Sequence, residues 1–182
     1  PGDEIDRFAI RYVQLAEALI HRDPDSSSGD TALSVATGRD IDQVDSRYLV
    51  GAVNWVGVDV PAHCTALGKV LYAFGALPPP LGNLERRTAH SPVDRAQFDH
   101  ALVEVRRRGW AASLDELELG LTAVGAPVRT VDGTVVAAVS VSGPTNRINE
   151  YGITRLGDLL VAELRGLSAL LGHQPAERKG SA

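Results

Sequence analysis

Apolar positions Ile5, Phe8, Ala9, Tyr12, Val13, Ala16, Leu19 and Ile20 recur at helical spacing, with Asp3 available as a cap, and predict an amphipathic helix over 5–20. "HRDPDSSSGD" then reads as an exposed loop. In "TALSVATGRDIDQV" two short strand-like runs flank Thr37-Gly38-Arg39-Asp40, the composition of a hairpin turn, and a further strand pair is predicted around Val50 to Val60, broken at Gly57. The stretch from Thr65 to Phe74 carries Ala66, Leu67, Val70, Leu71 and Phe74 on good helix formers and stops at "GALPPPLGN".

The clearest helix start is "SPVDRAQFDHALVEVRRRG": Ser91 reads as a candidate N-cap, Pro92 as the first helical residue and Asp94 as the acidic partner of a capping box or simply an acid favoured at the helix's positive end. Phe98, Ala101, Leu102 and Val105 form the predicted buried stripe; Arg106 to Arg108 fall in the last turn and Gly109 closes it. "LTAVGAPVRTVDGTVVAAVSVSGP" is the strongest hairpin signal, two β-rich runs joined around Asp132-Gly133, and Ser140 and Ser142 at spacing two share one face of the second run. Ile153 to Leu171 is a helix with a leucine stripe that ends at Gly172, and the tail over 174–182 is expected to fray. The order predicts an α+β layout with a mostly antiparallel sheet.

Composition narrows this. In 182 residues, 44% of them hydrophobic and 23% charged, a single domain with a sizeable core is expected. The net charge of −5, with basic residues dispersed apart from Arg106-Arg107-Arg108, does not suit gripping a phosphate backbone. Cys64 is the only cysteine, which rules out an intrachain disulfide and fits a reducing cytoplasm, and no apolar run reaches the roughly 18–20 residues of a membrane span. The chain begins Pro1-Gly2-Asp3 and contains no methionine, so a fragment of a longer protein is expected.

Candidate chemistry thins out on inspection. Gly68-Lys69 resembles the end of a phosphate loop, yet the required glycine five positions earlier is His63 and the required hydroxyl after the lysine is Val70. His63 beside Cys64 suggests a nucleophile and base; the competing reading is a buried thiol and a locally bonded imidazole. The five histidines show no ligand spacing, so neither metal nor cofactor is expected. Asp115, Glu116 and Glu118 offer a paired acid and base, but their place among leucines favours a solvated polar face or cap. What remains is a binding geometry. A helix starting near Thr65 has free N–H groups at Ala66, Leu67 and Gly68, suited to a small carboxylate, with Ser140 and Ser142 facing it from the sheet; the plainer alternative is that both serines bond locally. Lys69 then reads as a structural or rim residue.

"PAHCTALGKVLYAF", "VRRRGWAASLDELELGLTAVGAPVRTVDGTVVAAVSVSGPTNRI" and "LSALLG" together resemble the C-terminal effector-binding domain of the isocitrate lyase regulator (IclR) family of bacterial transcription regulators. The resemblance implies a GAF-like fold, a curved antiparallel sheet with helices around it, and a cytoplasmic protein that forms a homodimer or homotetramer. It also implies that residues 1–22 lie near the junction with a missing N-terminal winged helix-turn-helix domain, through which alone DNA would be bound, and that 23–173 is the effector domain. The implied ligand site comprises Thr65, Ala66, Leu67, Ser113, Leu121, Ala123, Ser140 and Ser142. Ser113 stands where that pattern has an acidic side chain and Ala123 where it has a thiol, which points away from glyoxylate or pyruvate and toward a larger or aromatic acid. The alternative from a different class is a small enzyme using Cys64 or the Asp115/Glu116/Glu118 cluster.

Overall fold

The computed structural model describes residues 32–36, 41–45, 60–170 and 172, with the backbone alone at 32–36, 41–45 and 170. The predicted helix over 5–20, the loop after it, the turn 37–40, the tail 174–182 and, apart from Val60, the strand pair around 50–60 lie outside the described residues. Strands β1 (Ala32–Ala36), β2 (Ile41–Asp45), β3 (Ala111–Leu114), β4 (Leu121–Arg129) and β5 (Val135–Pro144) form one antiparallel sheet in the order β2-β1-β5-β4-β3. Helices α1 (Ala66–Ala73), α2 (Arg95–Arg108), α3 (Thr145–Tyr151) and α4 (Ile153–Leu170) complete it.

Alternation along the strands sorts side chains onto two faces. Ala112, Val124, Ala126, Val128, Val139 and Val141 point to the face covered by α4, whose Leu156, Leu160, Leu164 and Leu167 are the predicted stripe. Ala111 and Ala138 point to the opposite face, where Leu67, Val70 and Leu71 of α1 pack and Phe98, Leu102 and Val105 of α2 close the layer behind. Ala101, expected in that stripe, is exposed instead. The β4–β5 hairpin is tied at its turn by Asp132, which accepts from the Thr130 and Thr134 hydroxyls and the Thr134 N–H, while Gly133 supplies the left-handed residue at φ 84°. Those donors pull the Asp132 carboxyl down to about 2.

Two boundaries differ from the sequence reading. The cap of α2 is Asp94, whose Oδ1 accepts from Gln97 N–H at 2.7 Å, so the helix starts at Arg95 and Pro92 stands before it. Ser91 is occupied elsewhere: its hydroxyl accepts from the N–H groups of Arg87 and Thr88 and donates to the Glu116 carbonyl. Gly109 does close α2, at φ 86°. The edge strand β3 and the short helix α3 are additional elements; α3 buries Ile148 and is separated from α4 by Gly152 at φ 96°.

Candidate functional site

The start of α1 is built by its neighbours. A turn of 3-10 helix over Ala62–Cys64 delivers the chain to Thr65, whose extended backbone and hydroxyl make it the N-cap. The Thr65 hydroxyl donates to the Ala62 carbonyl at 3.0 Å and accepts from Gly68 N–H at 2.9 Å. Gly68 is therefore not the third free donor expected from the sequence. The N–H groups of Ala66 and Leu67 remain as the first-turn donors with no carbonyl partner inside the helix.

Cross-strand register places the rest. Ser113 of β3 pairs with Ala123 of β4, which pairs with Ser142 of β5, and the next row runs Ala111, Gly125, Ser140. Because Ala111 packs on the α1 side, both rows and Leu121 share that face. Ala66 lies directly on Gly125, where a Cβ would come within 3.3 Å of the Ala66 carbonyl carbon and oxygen. All eight sequence-predicted site residues are thus either at the start of α1 or on the sheet face beneath it. Ser113 Oγ donates to the Cys64 carbonyl at 2.6 Å, fastening β3 to the residue before the α1 cap. A separate open depression of about 470 Å³ is lined by Arg86, Arg87, Thr88, Leu117, Glu118 and Leu119 and contains none of the eight; we place the candidate site under α1, where donors and small side chains converge.

Cys64 is buried, and burial pushes its thiol up from the ordinary range despite the nearby Ser91 hydroxyl, the reverse of what a thiolate nucleophile needs. His63 Nε2 lies 2.9 Å from the Glu85 carbonyl, and the Cys64 thiol points to that same carbonyl, so the two are anchored locally rather than arranged as base and nucleophile. Among the described residues no cluster of three or more potential ligands is placed for a metal ion.

The acidic cluster divides into three tasks. Glu118 is exposed. Asp115, at φ 55°, accepts from Gly120 N–H and the Thr145 hydroxyl and so shapes the β3–β4 loop. Glu116 corrects the expectation of a solvated face: it pairs with Lys69, both side chains nearly buried at 13% and 8% exposure. Lys69 Nζ donates to Glu116 Oε1 at 2.6 Å and to the Ala112 carbonyl at 2.9 Å, while Glu116 Oε2, equally close to Nζ, has no aligned hydrogen-bond donor. Burial lowers the Lys69 pKa and raises that of Glu116, each opposed by the other's charge, and the Leu114 backbone N–H further favours the Glu116 carboxylate. This pair was not foreseen, and 47 residues separate its members in the chain.

Comparison with known proteins adds the rest. The sequence profile described as "Bacterial transcriptional regulator IclR C-terminal" matches residues 31–169. The chain is 29% identical over 157 residues to the HTH-type transcriptional regulator XynR of Escherichia coli, covering 79% of this chain and 60% of XynR. It spans about half to three-fifths of the curated relatives it matches, 60%, 62% and 44% of three of them. The crystal structure of Thermotoga maritima IclR superposes with a TM-score of 0.70 at 25% identity, covering 94% of this chain and 74% of that one. The inducer-binding domain of the PobR transcription factor from Acinetobacter, a double mutant in complex with 3-hydroxybenzoic acid, superposes at 0.60 with 29% identity, covering 76% and 87%.

Proposed function

Because the chain belongs to the IclR family of bacterial transcriptional regulators and carries its GAF-like C-terminal effector-binding domain, we propose that it senses an organic acid at the start of α1. The observation that carries this is the placement of the Ala66 and Leu67 N–H groups above a sheet face of small side chains, Ser113, Ala123, Ser140 and Ser142. The positive end of the helix receives a carboxylate there, and the small residues put little side-chain bulk against the body of the acid. An aromatic acid is favoured: the related PobR domain is described with 3-hydroxybenzoic acid, and Ala123 and Ser113 supply neither a thiol nor a carboxyl group.

In the full-length cytoplasmic regulator, the acid must bind one arrangement of domains or subunits better than another, since equal affinity shifts nothing. DNA is then read by an N-terminal helix-turn-helix domain, and a homodimer or homotetramer supplies the paired readers that two half-sites require. We read the domain as non-catalytic; turnover of a bound acid that vanishes in Cys64→Ala would overturn that. The binding test is calorimetry and amide chemical-shift mapping against a panel of aliphatic and aromatic carboxylates that includes 3-hydroxybenzoate. Binding should perturb the Ala66 and Leu67 amides and weaken in Ser140→Ala/Ser142→Ala. Perturbations that avoid those amides, or an affinity untouched by the double variant, would refute the site.

A further inference from the structure

Among the described residues, strand β3 is an edge of the sheet, and an edge normally presents free backbone groups to any strand that arrives. Which groups face outward follows from the ladder. Asp115 N–H donates to the Leu121 carbonyl at 3.0 Å, so by the alternation of antiparallel pairs the backbones of Ser113 and Ala111 turn toward β4, and those of Leu114, Ala112 and Trp110 turn away. Two of these outward carbonyls are already filled by cationic side chains. Arg108 Nε donates to the Trp110 carbonyl at 2.7 Å, with its guanidinium 3.7 Å above the Trp110 ring, and Lys69 Nζ donates to the Ala112 carbonyl at 2.9 Å. Glu116 neutralises Lys69 in place.

We propose that Lys69, its partner Glu116 and Arg108 close the β3 edge against strand addition by a second copy of this chain. A lysine that pairs only with a carboxylate would gain little from near-complete burial, because desolvation offsets the attraction. Here the ammonium also satisfies a backbone carbonyl that would otherwise invite a neighbouring strand. Assembly of the regulator therefore uses surfaces other than this edge.

The test uses the full chain carrying Lys69→Met with Glu116→Leu, which replaces the pair by apolar groups of similar size and leaves the outward carbonyl bare. At matched concentration this variant should sediment as a larger species than the wild type, with hydrogen exchange at the Ala112 and Leu114 amides slowed in that species. Lys69→Arg, which keeps a donor, should sediment like the wild type. Unchanged sedimentation of the double variant, association without protection at Ala112 and Leu114, or equal association of Lys69→Arg would each overturn the proposal. Should the double variant not fold, Arg108→Ala decides: it bares only the Trp110 carbonyl, and larger species with a protected edge support the closure while wild-type sedimentation refutes it.

Discussion

Gly68 lies against the Ala62 carbonyl so closely that a Cβ on it would overlap that oxygen and stand 2.7 Å from the Ala62 Cβ. The glycine of the Gly-Lys pair is there for the turn of 3-10 helix folded back onto α1, not for a phosphate. Gly68→Ala should destabilise the domain by about 1–3 kcal/mol through overpacking, read as a lower urea midpoint with an unchanged slope. A variant as stable as the wild type would show that the turn moves freely.

Helix α4 contains two glycines with opposite expectations. Gly157 lies under the Trp110 indole, which a Cβ would penetrate, so Gly157→Ala should lower the melting temperature and alter the tryptophan fluorescence. Among the described residues Gly166, exposed on the same helix, meets nothing within 4 Å, and Gly166→Ala should raise stability by about 0.5–1 kcal/mol from helix propensity alone. Equal effects at both positions would deny Trp110 its role.

Asp94 and Ser91 separate a cap from a fastening. Asp94→Ala removes one N-cap bond and should cost about 1 kcal/mol. Ser91→Ala strips partners from two N–H groups and a donor from the Glu116 carbonyl, and should cost more, about 2–3 kcal/mol. Chemical denaturation of both variants checks the order.

Lys69→Met leaves the Glu116 carboxylate buried without its counter-charge and should cost about 3–5 kcal/mol at neutral pH. Glu116 already has its pKa raised by burial, and loss of the lysine raises it further. A carboxyl with a raised folded-state pKa binds its proton more tightly in the folded chain. The deficit is therefore full above that folded value and shrinks as pH falls through it toward the unfolded value. Melts of variant and wild type at about pH 8 and about pH 5 should show the gap narrowing with acid; a constant gap would contradict it. Adding Glu116→Leu should restore stability.

The elements with strong local signals were legible: the Asp132-Gly133 hairpin, the leucine stripe of α4 and the α2 end at Gly109 are all where periodicity and turn chemistry put them. Strand β3 was not, because Ala111-Ala112-Ser113 has neither β-branched residues nor alternation and is held as a strand by β4 and by side chains from α1 and α2. Ser91 and Asp94 compete for one role, and only the distant Glu116 carbonyl shows which of them is engaged elsewhere. At the candidate site, the serine spacing and the helix start could be read from local sequence. The burial of Lys69 could not, since its partner lies on a loop that the fold alone brings near.

The sheet keeps two accounts in one set of strands. Val124, Val139 and Val141 anchor α4, while their alternate neighbours Ala123, Gly125 and Ser140 face α1 with almost no bulk. One added carbon at Ala123 adds bulk to the α1 side while the valine face keeps its packing. On the proposed assignment of the site, ligand preference and the packing of α4 are therefore written on different residues of the same strands, and a substitution can alter one without touching the other.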